Sequence, residues 1–188
     1  MDPVLLNFPM EITTDRLWLH VPRPGEGEEV NEAIRESVDE LKPWLHFARE
    51  VPAVEDTEKN IREAYSKYLL RKNLRFHIYD RENRDFLGVI GLNHINWDIP
   101  KFEIYYWMRT SAAGKGYMSE AAEAVNEFAF RELKANRVEI RVATKNTGSR
   151  KIPEKLGYAL EGVLRNEDKH SDGHLMDMCV YAKVPEDQ

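Results

Sequence analysis

The chain has 188 residues, a single cysteine, 32% charged residues and a formal net charge of -6. That length suits one domain with a buried core, Cys179 alone excludes an intrachain disulfide and fits a reducing compartment, and the acidic balance argues against nonspecific nucleic-acid binding. No apolar run approaches the roughly 18 residues of a membrane helix, and the opening M-D-P-V-L-L-N-F lacks the basic start of a signal peptide, so a cytoplasmic, membrane-free domain over residues 1–188 is expected.

Residues 14–21, T-D-R-L-W-L-H-V, alternate Leu17 and Leu19 with polar neighbours, as a half-buried strand does. A turn at residues 22–25 follows. Val30, Ile34, Val38 and Leu41 then recur at helical spacing up to Pro43. Ile61, Tyr65, Tyr68 and Leu69 mark the face of a second helix. Residues 76–79 and 86–92 read as strands joined by a short charged turn, and residues 102–109, F-E-I-Y-Y-W-M-R, as a strand rich in aromatic side chains. The small, glycine-bearing stretch T-S-A-A-G-K-G-Y-M-S comes next. Ala121, Ala122, Val125, Phe128, Ala129 and Leu133 then share one helical face. In residues 137–143, Val138, Ile140 and Val142 point one way and Glu139 and Arg141 the other. Residues 146–158 form a short helix closed by Gly157, and residues 158–164 and 174–184 a final hairpin. The order βααβββαβαββ has too many consecutive strands for a doubly wound fold. It predicts a mixed α/β (α+β) class with a mixed sheet and helices on both faces.

The centre of this plan is strand, glycine loop, helix N-terminus, which aims backbone N–H groups and a positive helix end at an anion, usually a phosphate. It is not a P-loop, because Arg109 stands where the first glycine belongs and Gly116 follows Lys115. As a dinucleotide motif it is weak, with Ser119 in place of the third glycine. Taken alone, Gly114 and Gly116 fit a plain turn as well as a phosphate site. The surrounding residues resemble the acetyl-CoA-binding motif of the GNAT N-acetyltransferases, and within them the RimJ/RimL ribosomal-protein branch. Gly114, Gly116, Tyr117, Glu120 and Ala121 match the branch loop, whereas Ala113 and Met118 depart from the wider family pattern. Asn146, Ser149, Lys151, Ile152, Glu154, Lys155, Gly157 and Tyr158 match the branch pattern N-x-x-S-x-[RK]-[VI]-x-E-K-x-G-[FY] at every fixed position. T-D-R-L-W-L at residues 14–19 and L-K-P-W-L at residues 41–45 resemble further branch features.

The resemblance implies a GNAT-type fold, with a mostly antiparallel central sheet flanked by helices, and acetyl-CoA as cosubstrate. It implies pantetheine along the backbones of Trp107, Met108 and Arg109, and pyrophosphate on the N–H groups of Gly114, Lys115, Gly116, Tyr117, Met118 and Ser119. It gives Asn146 a hydrogen bond to pantetheine and places Lys151 near the adenosine phosphate. Helix capping by Asn146 and Ser149 is compatible with these roles and does not exclude them. Many family members carry a tyrosine, as acid for the leaving thiolate, where this chain has Pro153. Ser149 is the replacement candidate. Pro153 also predicts a kink or a helix that starts late, at Ser149. Glu103 is the candidate base, with a structural ion pair as its competing role; Asp168, His170 and His174 stand next. Trp44, Glu103 and Asp168 are expected on the acceptor side. The histidines lack a ligand-like cluster, so no metal is expected. Cys179 reads as core, and Asp177 and Tyr181 as structural hydrogen bonders. The implied activity is acetylation of a primary amine, foremost a protein N-terminal α-amine. A small amine such as a polyamine, antibiotic or amino acid derivative is an alternative, as is a non-catalytic acyl-CoA-binding module. Expected partners are acetyl-CoA and the acceptor, with a homodimer left open.

Overall fold

The computed structural model describes residues 2–187. In chain order they form β1 (Glu11–Thr13), β2 (Leu17–His20), α1 (Gly27–Leu41), α2 (Val54–Leu69), β3 (Leu74–Asp80), β4 (Phe86–Asn96), β5 (Lys101–Met108), α3 (Tyr117–Arg131), β6 (Arg137–Ala143), α4 (Thr147–Lys155), β7 (Ala159–Lys169) and β8 (Leu175–Lys183). All eight strands join one sheet in the order β1-β2-β3-β4-β5-β6-β8-β7. Every neighbouring pair is antiparallel except β5–β6, so the expected mixed, mostly antiparallel sheet is what forms.

Both faces of the sheet are covered. On one face the α3 stripe of Met118, Ala121, Ala122, Val125, Phe128 and Ala129 packs on Phe76, Ile78, Ile90, Phe102, Ile104 and Val138. On the other, Val30, Ala33 and Ile34 of α1 and Ile61 of α2 close over Tyr79, Phe86, Val89 and Trp107. Two covered faces explain why F-L-G-V-I-G-L in β4 is buried at every position rather than alternating.

The differences from the sequence reading are local. The expected strand over residues 14–21 is shorter, Leu17–His20, and forms a hairpin with β1, the turn taking up residues 14–16. Thr14 N donates to Leu17 O at 2.9 Å and Leu17 N to Thr14 Oγ1 at 3.0 Å, a turn made by a side chain without glycine or proline. In α2, Ile61 and Tyr68 are buried but Leu69 is exposed, because Thr57 and Ala64 complete the stripe. The last hairpin is longer than residues 158–164 and 174–184 suggested on its first arm, since β7 continues as an exposed edge strand to Lys169.

Candidate active site

The one parallel pairing is short. β5 and β6 are in register from Lys101 and Arg137 to Ile104 and Ile140, and no further, although β5 runs on to Met108 and β6 to Ala143. The strands part there and leave backbone unpaired on both sides of a gap. Backbone groups alternate along a strand. Arg109 N donates to Leu87 O at 2.8 Å, toward β4, so Trp107 faces β4 as well and the N–H groups of Tyr106 and Met108 face the gap. Of the three backbones expected to line it, Met108 does. Trp107 and Arg109 spend their N–H groups on the neighbouring strand. Their side chains also turn away: Trp107 packs on Phe47 and Phe86 at 5.9 and 5.8 Å, and Arg109 Nε donates to Glu36 at 3.0 Å.

The gap opens onto the glycine loop. Thr110 N donates to Ser37 Oγ at 2.9 Å and Ser111 N to Glu36 Oε1 at 2.7 Å, so α1 pins the start of the loop. Hydrogen bonds from the Arg109 guanidinium hold the Glu36 carboxyl down at about 2. Gly114 at φ +76° and Gly116 at φ +82° then turn the chain through the left-handed region into α3. Gly116 caps α3 without a side chain, and the first intrahelical N–H bond is that of Glu120 to Gly116 O. The N–H groups of Tyr117, Met118 and Ser119 therefore have no helical acceptor. Only the backbone of Met118 is at the surface of this turn, since its side chain is in the core. Lys115 is exposed, and its carbonyl accepts from Arg16 Nη1 at 3.0 Å. Arg16 also lies over the Tyr117 ring at 4.6 Å and pairs with Glu120 at 2.6 Å, which adds a cation to the loop that its place in the opening turn did not reveal.

On the far side of the gap stands α4. Asn146 caps it, its Oδ1 accepting from Ser149 N at 3.1 Å, so the helix starts at Thr147 and not late at Ser149. It runs through Pro153, which is buried. The carbonyl that Pro153 cannot serve is that of Ser149, and it accepts from Tyr106 OH at 3.1 Å. Ser149 Oγ in turn donates to Tyr106 OH at 3.2 Å. Burial pushes the Tyr106 phenol up to about 12. An aromatic residue in a strand reads as core, so only the fold brings Tyr106 to the site. Lys151 is exposed on the same helix. Tyr181 OH donates to Glu154 at 2.7 Å, Asp177 Oδ1 accepts from Asn166 N at 2.9 Å and Cys179 is buried, as the sequence suggested.

The opposite mouth of the gap is acidic. Glu103, one residue before the pairing ends, lies 3.3 Å from Arg141, which also reaches Glu139 at 3.4 Å and Glu167 at 3.6 Å. Burial pushes the Glu103 carboxyl above its ordinary value, against the pull of His94 and Arg141. The α1–α2 connection closes this side. Trp44 meets the ring of His170 at 5.9 Å and His46 Nε2 lies 3.1 Å from Asp168, so Trp44 and Asp168 meet where that connection touches the β7–β8 hairpin. His170 and His174 both pair with Asp172, at 2.8 and 2.9 Å. The cleft thus offers backbone donors and a hydroxyl pair at one end, and a partly buried carboxylate at the other.

Comparison with known proteins agrees with this geometry. Residues 16–159 match the family described as acetyltransferase (GNAT) domain. The N-acetyltransferase p20 of Bacillus licheniformis is 33% identical over 108 residues, 57% of this chain and 60% of that protein. YdaF of Bacillus subtilis (strain 168), named as a ribosomal N-acetyltransferase, is 31% identical over 171 residues, 89% of this chain and 91% of that protein. Among solved structures, the ribosomal alpha-N-protein acetyltransferase RimL in complex with coenzyme A superposes with a TM-score of 0.88 at 20% identity, over 95% of this chain and 99% of that one.

Proposed function

The chain belongs to the GNAT acetyltransferase family, and on that premise we propose that it moves the acetyl group of acetyl-CoA onto a protein N-terminal α-amine of the ribosomal-protein type, by direct transfer in a ternary complex. The observation that carries this reading is the end of β5–β6 pairing at Ile104 and Ile140, beside a glycine loop that leads into uncapped helix N–H groups. The names of YdaF and RimL support the acceptor class, and the acidic mouth at Glu103, Glu167 and Asp168 suits a cationic amine.

Acetyl-CoA would supply the acetyl group as an activated thioester. The protein's own residues would hold it, take a proton from the ammonium and offer hydrogen bonds where charge develops. The N–H groups of Tyr117, Met118 and Ser119, with Gly114, Lys115 and Gly116 turning the chain beneath them, would receive the pyrophosphate. Asn146 and Lys151 would flank it from α4. The Met108 N–H, which faces the gap, would be the oxyanion donor. Glu103, with its raised carboxyl, would accept the ammonium proton directly or through water. Ser149 would face the departing sulfur, and Trp44 and Asp168 the acceptor.

A free-thiol release assay tests this over peptides with free and blocked N-termini and over small amines. The expected result is turnover with free N-terminal peptides that blocking abolishes. Faster turnover with a polyamine or an aminoglycoside would overturn the acceptor class, and no turnover with any amine would leave a non-catalytic acyl-CoA-binding module.

A further inference from the structure

We propose that Tyr106 is a positioning residue for the transfer: its hydroxyl makes the hydrogen bond that Pro153 withholds from the Ser149 carbonyl, and so holds the Ser149 hydroxyl beside the departing sulfur. The inference rests on the acetyl-transfer reading above.

In an α-helix the N–H of each residue bonds the carbonyl four positions back. Residue 153 would serve Ser149 O, but proline has no N–H to give. Tyr106 OH donates to that oxygen at 3.1 Å, across the gap between β5 and α4. The same phenol oxygen accepts from Ser149 Oγ at 3.2 Å. Tyr106 lies beyond Ile104, on the stretch of β5 that has no β6 partner. The two elements that border the gap are therefore tied together at this hydroxyl pair.

Both hydroxyl protons are committed within the pair, and one must turn to the sulfur. Turning the Tyr106 proton would strip the Ser149 carbonyl of the partner that replaces its helical one. Ser149 Oγ–H rotates about a single bond and leaves that carbonyl served. So Ser149 turns and Tyr106 stays. As the amine nitrogen forms the C–N bond, the C–S bond breaks and its electron pair passes to sulfur, where Ser149 donates a hydrogen bond. Of the two protons an ammonium loses on becoming an amide, Glu103 takes the first before attack, the second passes from the nitrogen to solvent as the C–N bond forms, and the one that completes the thiol comes from solvent. Burial keeps the phenol protonated, which its role as donor to the Ser149 carbonyl requires.

The test is a double-mutant cycle on the full chain: parent, Tyr106→Phe, Pro153→Ala and the pair. Tyr106→Phe is expected to lower kcat roughly 10-fold to 10²-fold, the scale of a small misplacement, with KM for acetyl-CoA and calorimetric acetyl-CoA affinity held. Pro153→Ala supplies the missing backbone N–H, so in that background Tyr106→Phe is expected to cost several-fold less, on kcat and on the thermal midpoint measured without cosubstrate. An unchanged kcat in Tyr106→Phe, or equal losses in both backgrounds, overturns the inference. A parent that binds acetyl-CoA but acetylates no amine overturns the acetyl-transfer reading and the catalytic role with it. The midpoints then still decide whether the residue 153 N–H can replace the Tyr106 hydroxyl as donor to the Ser149 carbonyl, and additive midpoints would refute that.

Discussion

Ser149→Ala removes one hydroxyl and leaves the helix cap intact, because the cap is Asn146 Oδ1 and Ser149 contributes only its N–H. The variant should therefore lose no more stability than its one hydrogen bond to Tyr106, about 1 kcal/mol, and lose kcat by roughly 10²-fold, the low end for losing a proton or hydrogen-bond donor to a leaving group. Asn146→Ala should cost about 1 kcal/mol for a lost cap. A Ser149→Ala protein with a lowered midpoint and normal kcat would return Ser149 to a structural role. Glu103 is the second residue whose role kinetics can decide. Its carboxyl is raised by burial but still faces Arg141 at 3.3 Å. If it takes the ammonium proton, Glu103→Gln should lower kcat, erase the acidic limb of the pH–rate profile and leave acetyl-CoA affinity as it was. An unchanged profile would make Glu103 only the partner of Arg141. Ser149 and Glu103 were nameable as candidates from the sequence, Ser149 because it sits at a matched motif position and Glu103 because it stands where the resembled branch often has Glu. Tyr106 and Arg141 were not. Their importance comes from what lies across a gap, and the alternation that marked them as strand residues carries no information about that neighbour.

At the scale of elements, the glycine loop and the start of α3 act as one unit. Gly116 adopts φ +82°, and a Cβ there would meet only Arg16 Nη2, at 3.5 Å. Gly116→Val therefore has room for its Cβ. It strains the backbone, by about 1–3 kcal/mol for a residue held in the left-handed region, and it puts a branched side chain where an anion must approach the N–H groups of α3. Acetyl-CoA affinity should fall by more than tenfold in calorimetry while the far-ultraviolet circular dichroism stays that of the parent; parental affinity would move the anion site away from this turn. The order strand, loop, helix was readable because hydrophobic period and glycine placement change abruptly at residues 110 and 117. The hairpin of β1 and β2 was not, since its turn is built by the Thr14 hydroxyl rather than by a residue that signals one. Nor was the start of α4, where the Asn146 cap holds the first turn in place despite Pro153 further along. Capping and proline pull in opposite directions along nine residues, and only the tertiary partner at Tyr106 decides between them.

Across the whole molecule, the covered faces of the sheet bury charge as well as apolar surface, and that sets how the fold responds to acid. His20 and His77, on neighbouring strands, lie under the start of α1, where His77 Nδ1 is 2.7 Å and His20 Nε2 3.5 Å from Glu26. Burial lowers both imidazoles below 6.5, for His77 against the pull of Glu26. The folded protein then binds fewer protons than the unfolded chain as the pH drops through 6.5, so stability is full above that value and declines below it, toward the lowered folded values. Glu36 acts later. Its carboxyl is held at about 2 against an ordinary 4.5, so its contribution is present above 4.5 and is lost as the pH falls through 2. Acid should therefore weaken the fold in two windows, first through the histidines beneath the start of α1 and then through the carboxylates held low by their partners, the Glu36–Arg109 tie that anchors the loop among them. Thermal midpoints measured across both windows check this. In His77→Gln, which keeps an amide donor for Glu26 and cannot titrate, the decline just below 6.5 should shrink while the lower window stays. In Glu36→Gln the lower window should shrink by the share of Glu36, since Glu120, Glu139 and Glu161 are held low by their own partners, while the upper one remains. A parent-like decline below 6.5 in His77→Gln would place the acid sensitivity in groups other than His77.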